Sequence, residues 1–457
     1  LSERSRRSEH RSRPSSVEGG ARLLFVGDIH LGRRPSRLPE HLAEHAIDPA
    51  ELTPAAAWGR TVELALRLAR EPEGLAAVVL AGDVVESLED RFGAFPHLES
   101  GVSRLVAADI RVAGVAGNHD VQALPRLADR LPAFHLLGRG GRWERLSVAP
   151  GVDLVGWSFP ERAVRESPLA TGTWPAGHGA TTLGVLHCDL DGGRSPYAPV
   201  ARSELERADA DAWLLGHVHA PSALDGPRPI GYLGSLLGLD PGEPGPRGPW
   251  LLHVEASGRI RTRHIPLAPL RWERATALLE DAALAARGDD AAALADALHD
   301  RCTAALRAVR ERVEADSSLP RTVGVRLALE GATRFRDAVR AFGERPEDWP
   351  RLSEGELHLF TEKIEDRTRP ALDLSALARG TDPPALLARR LLAVERGDLD
   401  AELARRMAGV RDDPRYRALA EDSPPDAAGE VRGRVLRVGL DALEALLAQR
   451  PSPEATP

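Results

Sequence analysis

Five short segments in the first half of this chain carry side chains that bind divalent metals. They are Asp28-Ile29-His30, Gly82-Asp83, Gly117-Asn118-His119-Asp120, Val185-Leu186-His187 and Gly216-His217-Val218-His219. Each alone is a weak signal, since Gly-Asp after a strand is commonly a turn or a helix cap. Together they supply two mixed oxygen and nitrogen sets. Asp28, His30, Asp83 and His219 suit one ion, while Asp83, Asn118, His187 and His217 suit a second, with the Asp83 carboxylate shared. Two ions about 3.5–4 Å apart stabilise both the attacking and the departing oxygens of a phosphoester. Donor sets of this mixture favour manganese, iron or zinc over magnesium or calcium.

Side chains this far apart in sequence need a sheet to gather them. Each segment follows an apolar run, such as Leu23-Leu24-Phe25-Val26 or Ala77-Val78-Val79-Leu80, that reads as a buried strand. The pattern predicts strands over 22–26, 77–81, 110–116, 152–158, 182–187, 212–215, 230–233, 250–254 and 260–265. Helices are predicted over 58–70 and 98–108. Ligands at successive strand ends then meet at one carboxyl edge. After Pro266 the composition turns alanine-rich and helical, which predicts helices over 272–287 and 291–314. A strand–helix–strand unit is expected over 322–329, 332–342 and 356–362. Helices over 383–395, 399–410 and 431–449 close the chain, with a break at 421–428. The expected organisation is a tail at 1–20, a catalytic domain at 21–267, a helical connector at 268–320, a small α/β cap at 321–380, C-terminal helices at 381–450 and a tail at 451–457.

Composition narrows the function classes. At 457 residues the chain suggests two or three domains. A net charge of −8 argues against a protein-wide electrostatic grip on nucleic acid but leaves room for a local one. Lys363 is the only lysine, and arginine is the better bidentate phosphate partner, although a GC-rich gene would give the same bias. Cys188 and Cys302 form no CxxC pair, and strand alternation turns Cys188 away from the face that carries His187. The Arg- and Ser-rich start has no apolar segment of a secretory signal, and no run is long and apolar enough for a membrane helix, so a cytoplasmic protein away from membranes is expected.

The order of the five motifs resembles the calcineurin-like metallophosphoesterases, over about residues 22–265. The resemblance implies an α/β fold, an αββα sandwich, with a dinuclear site at its strand ends. It also implies that His119 protonates the leaving oxygen and that Asp120 orients His119. His119 adjoins Asn118 and is spare in the ligand count, which agrees with a general acid. Asp28-Ile29-His30-Leu31-Gly32, Gly231-Tyr232-Leu233-Gly234-Ser235-Leu236 and the segment 323–368 are similar to the SbcD-type DNA-repair nucleases, YhaO-like bacterial members among them. Two departures stand out: the interval from His30 to Asp83 is lengthened around residues 33–58, and Glu86 occupies a position that is often His or Asp.

That likeness implies a manganese-dependent DNA exonuclease or endonuclease, partnered by an SbcC-like coiled-coil ATPase and with room for a homodimer. Arg33, Arg34 and Arg37 leave the metal edge directly and could neutralise flanking DNA phosphates. No aromatic-plus-basic platform stands out, which predicts no base-specific readout. Two other readings stay open: a phosphodiesterase or phosphatase acting on a nucleotide or other small phosphoester, and a regulatory scaffold of the ATPase. Leu436, Leu440, Leu443 and Leu447 recur at helical spacing, as core packing or as a face for the partner's coiled coil. On the second option, a chain ending near Asp422 would fold but lose the ATPase.

Overall fold

The computed structural model describes residues 20–45, 47–171, 173–175, 181–286, 288–316, 320–412 and 428–449. The expected tails, but for residue 20, and the expected break at 421–428, but for residue 428, lie outside them. The chain divides into two compact units. One takes described residues within 1–274, 306–326 and 351–362, and the other those within 275–305, 327–350 and 363–457.

The first unit is built on two sheets. Strands β1 (Ala21–Val26), β2 (Ala77–Ala81), β3 (Arg111–Val115) and β4 (Phe134–Leu136) run parallel, and β10 (Trp250–Val254) and β11 (Ile260–His264) extend the sheet antiparallel beyond β1. The second sheet has the order β5 (Glu144–Ala149), β6 (Val152–Trp157), β7 (Thr181–His187), β8 (Ala212–Gly216) and β9 (Ile230–Tyr232), parallel from β6 onward. Period-two alternation divides each strand between two cores. Leu23, Phe25, Val79 and Val115 pack with Leu154, Val185 and Leu214 between the sheets. Leu24, Val26, Val78 and Leu80 pack outward against helices α1 (Pro54–Ala69) and α2 (Arg91–Val106), through Trp58, Val62, Leu98 and Val102. Leu186, Cys188, Trp213 and Leu215 fill a third cluster on the outer face of the second sheet. Layered this way, the unit is the expected αββα sandwich.

Local chemistry sets the helix starts earlier than apolar periodicity alone. Thr53 caps α1, its side chain accepting from Ala56 N–H at 3.4 Å, and Pro54 takes the first helical position, where a missing N–H costs nothing. The lengthened interval before it is not a loose excursion. Two short 3₁₀ turns, Glu40–His45 and Pro49–Leu52, place Leu42, Ile47 and Leu52 in the same core as α1. Strands β4 and β5 and the helix α3 (Leu124–Arg130) were not anticipated, because each is short and only partly apolar.

The largest correction falls after Pro266. Residues 272–287, expected as a helix, form instead the strand β12 (Leu270–Leu278) followed by one helical turn, Asp281–Leu284. Glu, Arg and Ala give this stretch helix propensity, but Leu270 and Trp272 are buried on one face with the half-buried Arg271 between them, and strand pairing prevails. Strand β12 joins β13 (Thr322–Thr333), β14 (Arg351–Glu354) and β15 (Leu357–Pro370) in a four-stranded sheet ordered β12-β13-β15-β14. Strands β13 and β15 run longer than expected, so the helix between them starts only at Arg336. In the second unit, helices Pro383–Glu395, Asp400–Asp412 and Ala428–Ala448 lie close to their expected positions. There Leu440 and Leu443 are buried against Leu374, Ala388 and Leu391, with Leu436 and Leu447 packed alongside. The leucine stripe is therefore core. A chain ending near Asp422 would expose that cluster, which overturns the expectation that the stripe is free to lie on a partner.

Gly101 in α2 separates two opposing effects. Alanine is normally favoured over glycine inside a helix by about 1 kcal/mol. Here an added Cβ would sit 2.4 Å from Trp58 Nε1, and that indole is buried and donates to the His97 carbonyl at 3.0 Å. Overpacking of this kind costs about 1–3 kcal/mol, so Gly101→Ala should lower the melting temperature despite its helix propensity. A thermal melt showing stabilisation would mean that Trp58 moves freely.

Candidate metal centre

The predicted ligands arrive from both sheets at one edge. Asp28 follows β1, Asp83 follows β2, Asn118 follows β3, His187 ends β7, and His217 and His219 follow β8. Three of them, His30, Asp83 and His217, have φ of 54°, 46° and 106°, in the left-handed region that non-glycine residues avoid. Each such residue costs on the order of 1–3 kcal/mol and persists only where neighbours over-determine it. The neighbours here are hydrogen bonds between ligand loops. Asp83 O accepts from Ile29 N–H at 3.0 Å and from His30 N–H at 2.9 Å, and the Asp28 carboxylate accepts from His217 N–H at 3.0 Å. Asp83 Oδ1 accepts from His119 N–H at 2.9 Å. Gly117 makes that approach feasible, since a Cβ there would lie 2.2 Å from Asp83 Oδ1.

Donors gather in three overlapping groups, two of them built on the predicted ligands and the third on His30, Glu86 and His119. In the first, His30 Nε2 and His219 Nε2 lie 3.1 Å apart, with an Asp28 oxygen close by. Their outer nitrogens face carboxylates. His30 Nδ1 is 2.6 Å from Glu86 Oε2, close enough for an ion pair although off the N–H axis, and His219 Nδ1 is 2.6 Å from Glu243 Oε1. With protons on the Nδ1 side both Nε2 lone pairs face one another and suit a shared cation, and in its absence a proton on one Nε2 bridges the pair. In the second group, His187 Nδ1 donates to the Ala81 carbonyl at 3.1 Å, and His187 Nε2 faces Asn118 Oδ1 at 3.1 Å and Asp83 Oδ2 at 3.3 Å. Asp28, His30, Asp83, His187 and Asn118 are all buried. Acceptors crowded and desolvated like this fit divalent ions, because without a cation they repel one another.

His217 is brought less close. Its ring lies 5.3 Å from that of His187 and 5.1 Å from that of Tyr197, and it joins none of these groups. Asp120 departs from its expected role. Its carboxylate is fully buried and accepts from Val84 N–H and Gly117 N–H, each at 2.7 Å, so it braces two ligand loops and does not orient His119. The group beside His119 is Glu86, whose backbone carbonyl lies 3.2 Å and carboxylate 3.8 Å from His119 Nδ1. Arg33 and Arg34 are exposed and line a cavity of about 850 Å³. Arg37 is also exposed, and its Nη1 lies 3.5 Å from the buried carboxylate of Glu362, which pairs with Arg326 at 2.9 Å as well.

Glu243 escaped the sequence reading, since a Glu in a Pro/Gly loop 24 residues beyond His219 follows no spacing rule. Its second oxygen accepts from Leu239 N–H at 2.9 Å, and Arg247, itself buried, donates to the His219 carbonyl.

Electrostatics follows from the burial. Desolvation would raise Asp83, but His187 and His30 outweigh it and hold the carboxyl well below its usual range. Burial, then the charge of Asp83, pushes Asp120 up. Burial would lower His187, yet Asp83 and Asp28 carry it up to about 9, and His30 is raised in the same way by Glu86 and Asp83. Burial and the neighbouring His187 push His217 down.

A family model matches the part of the chain that carries these residues. Residues 21–221 match the family described as calcineurin-like phosphoesterase. A Bacillus subtilis (strain 168) protein named "Uncharacterized metallophosphoesterase YhaO" is 26% identical over 263 residues, covering 55% of this chain and 62% of that protein. The chain thus spans less than two thirds of that relative's length. Among solved structures, the crystal structure of TT1561 from Thermus thermophilus is similar with a TM-score of 0.30 at 11% identity, covering 54% of this chain and 99% of that one. No helix among the described residues is long and apolar enough to cross a membrane.

Metal ions bind neutral imidazole, so loading this cluster must displace the protons that His30 and His187 hold. Below the raised value of about 9 for His187, affinity should therefore strengthen with pH, by about tenfold per unit for each obligatory proton. Calorimetric titration with Mn2+ in buffers of different ionisation enthalpy counts the protons released. Proton release near zero and a flat affinity between about pH 6 and pH 8 would contradict the ligand assignment.

Proposed function

Because residues 21–221 match the calcineurin-like phosphoesterase family, we propose that this chain hydrolyses the phosphodiesters of DNA with two Mn2+ ions. The observation that carries the hydrolytic reading is the pair of facing imidazoles, His30 and His219, each backed by a carboxylate beside a second buried group built on Asp83 and His187. Two divalent ions there would supply charge stabilisation on the phosphoryl oxygens and an activated nucleophile at neutral pH. The ions would rest on Asp28, His30, Asp83 and His219, and on Asp83, Asn118, His187 and His217.

The protein's own groups do the rest. His119 is the one imidazole of the cluster with a side chain substantially exposed, at 42%, so it can meet a substrate. Its Nδ1 faces the Glu86 carbonyl and so carries a proton, and the proton given to the departing oxygen would come from Nε2 of the doubly protonated ring. Asp120 keeps the loops of Asp83 and Asn118 in register. The DNA reading draws on the SbcD-like motif details and on Arg33 and Arg34, exposed cations only a few residues from the ligand His30. An SbcC-like ATPase is the partner that fits this role, and with the leucine stripe buried it would need another face. Leu386 and Val438 are exposed on the helices Pro383–Glu395 and Ala428–Ala448.

A small nucleotide phosphoester is the second reading, favoured by the cavity beside Arg33 and Arg34. A purely regulatory scaffold is less economical, because buried, mutually repelling ligands are costly to keep without ions. Digestion of duplex, hairpin and single-stranded DNA and of bis-p-nitrophenyl phosphate, with Mn2+ or Mg2+, separates these readings. Turnover of the small ester with every DNA untouched would contradict the nuclease.

Two variants test the roles. Asp83→Asn should remove nearly all hydrolysis and lower the metal content, measured by elemental analysis. His119→Asn should keep the metals and lose roughly 10²–10⁴-fold in turnover on DNA, and less on an ester whose p-nitrophenolate leaves without protonation. Equal losses on both substrates, or loss of metal, would make His119 a structural residue.

A further inference from the structure

The metal edge continues along one strip of surface onto α2. Leu31 bridges Val85, and Leu31 O accepts from Glu86 N–H at 3.1 Å. A Cβ added to Gly32 would lie 2.5 Å from that of Asp90. Residues leaving His30 and residues leaving Asp83 therefore run side by side toward Arg91, where α2 starts. The second residue of that helix is Phe92, 71% exposed and the most exposed large apolar side chain among the described residues. The Arg91 guanidinium lies 4.2 Å from its ring centroid. Its neighbour Gly93 lines the same cavity as Gly32, Arg33 and Arg34.

An apolar ring in water forgoes the stabilisation of burial. Here Arg91 lies over the ring, and one residue on, Gly93 lines the cavity that Arg33 and Arg34 also line. The acidic groups nearby are Glu86, which faces His30, Asp90, which accepts from Ser87 Oγ at 2.6 Å, the exposed Glu89, and two that line the cavity itself, Asp48, which accepts from Ala50 N–H, and Glu51, which pairs with Arg321 at 3.4 Å. A planar π-face framed by cations matches one ligand chemistry well, a nucleobase carried between phosphates. An apolar peptide side chain would use the ring but not the arginines.

We propose that Phe92, with Arg33 and Arg34, docks one unpaired nucleotide next to the scissile phosphate, its base stacked on the ring and its phosphates against the guanidinium groups. This rests on the DNA reading above and narrows the substrate to strands that present an unpaired end or gap. Stacking accepts any base, so the site tolerates sequence.

The test uses the full chain with Ca2+ in place of Mn2+ and fluorescence anisotropy of two single-stranded oligonucleotides, one intact and one carrying abasic residues. Phe92→Ala should weaken binding of the intact strand roughly ten- to a hundredfold, and Phe92→Trp should restore it. The abasic strand should bind the wild type and Phe92→Ala equally weakly, and turnover of bis-p-nitrophenyl phosphate should fall far less than DNA binding. Unchanged binding by Phe92→Ala, or the same loss on intact and abasic strands, overturns the nucleotide site while the DNA reading stands. A wild type that hydrolyses the small ester but binds neither strand overturns both.

Discussion

Mutual repulsion among desolvated acceptors is the constraint on which the rest of this structure depends. Asp28 and Asp83 are buried within reach of His187, and the Nε2 atoms of His30 and His219 face each other at 3.1 Å. In the absence of cations such a cluster stays together only by retaining protons, which is what the raised His30 and His187 express. With two divalent ions the same groups become complementary. The energetic burden of keeping them close would then favour metal binding at this site.

Everything around the cluster works against that repulsion. The two sheets bring five strand ends to one edge, and the core of Phe25, Val79, Val115, Leu154, Val185 and Leu214 fixes their spacing. Strained backbone at His30, Asp83 and His217 is held by hydrogen bonds from one ligand loop to the next. Asp120 ties the loop after β2 to the loop after β3. Glu86 and Glu243 then hold the far nitrogens of His30 and His219, so that the rings present their donors without rotating away.

Much of this was readable from the chain alone. Strand-end polar residues after apolar runs announce a ligand edge, and the αββα sandwich follows from the strand and helix order. The αββα architecture appears as expected, and the residues read as ligands lie at the strand ends. What could not be read depends on contacts between distant residues. Nothing in the sequence ties Glu243 to His219, or tells that Asp120 turns to backbone amides while Glu86 faces His119. Residues 272–278 mislead because propensity speaks for helix while pairing in the sheet decides for strand. The exposure of Phe92 could not be read either, because nothing in its residue type distinguishes it from an ordinary helical core residue.

The central claim is that two ions share the Asp83 carboxylate. Electron paramagnetic resonance of the protein loaded with two equivalents of Mn2+ tests it without relying on turnover. A shared carboxylate at about 3.5–4 Å separation should give a broad, exchange-coupled spectrum that is lost in Asp83→Asn. A simple six-line spectrum of isolated Mn2+ in the wild type, at full occupancy, would show that the ligands do not build one dinuclear centre.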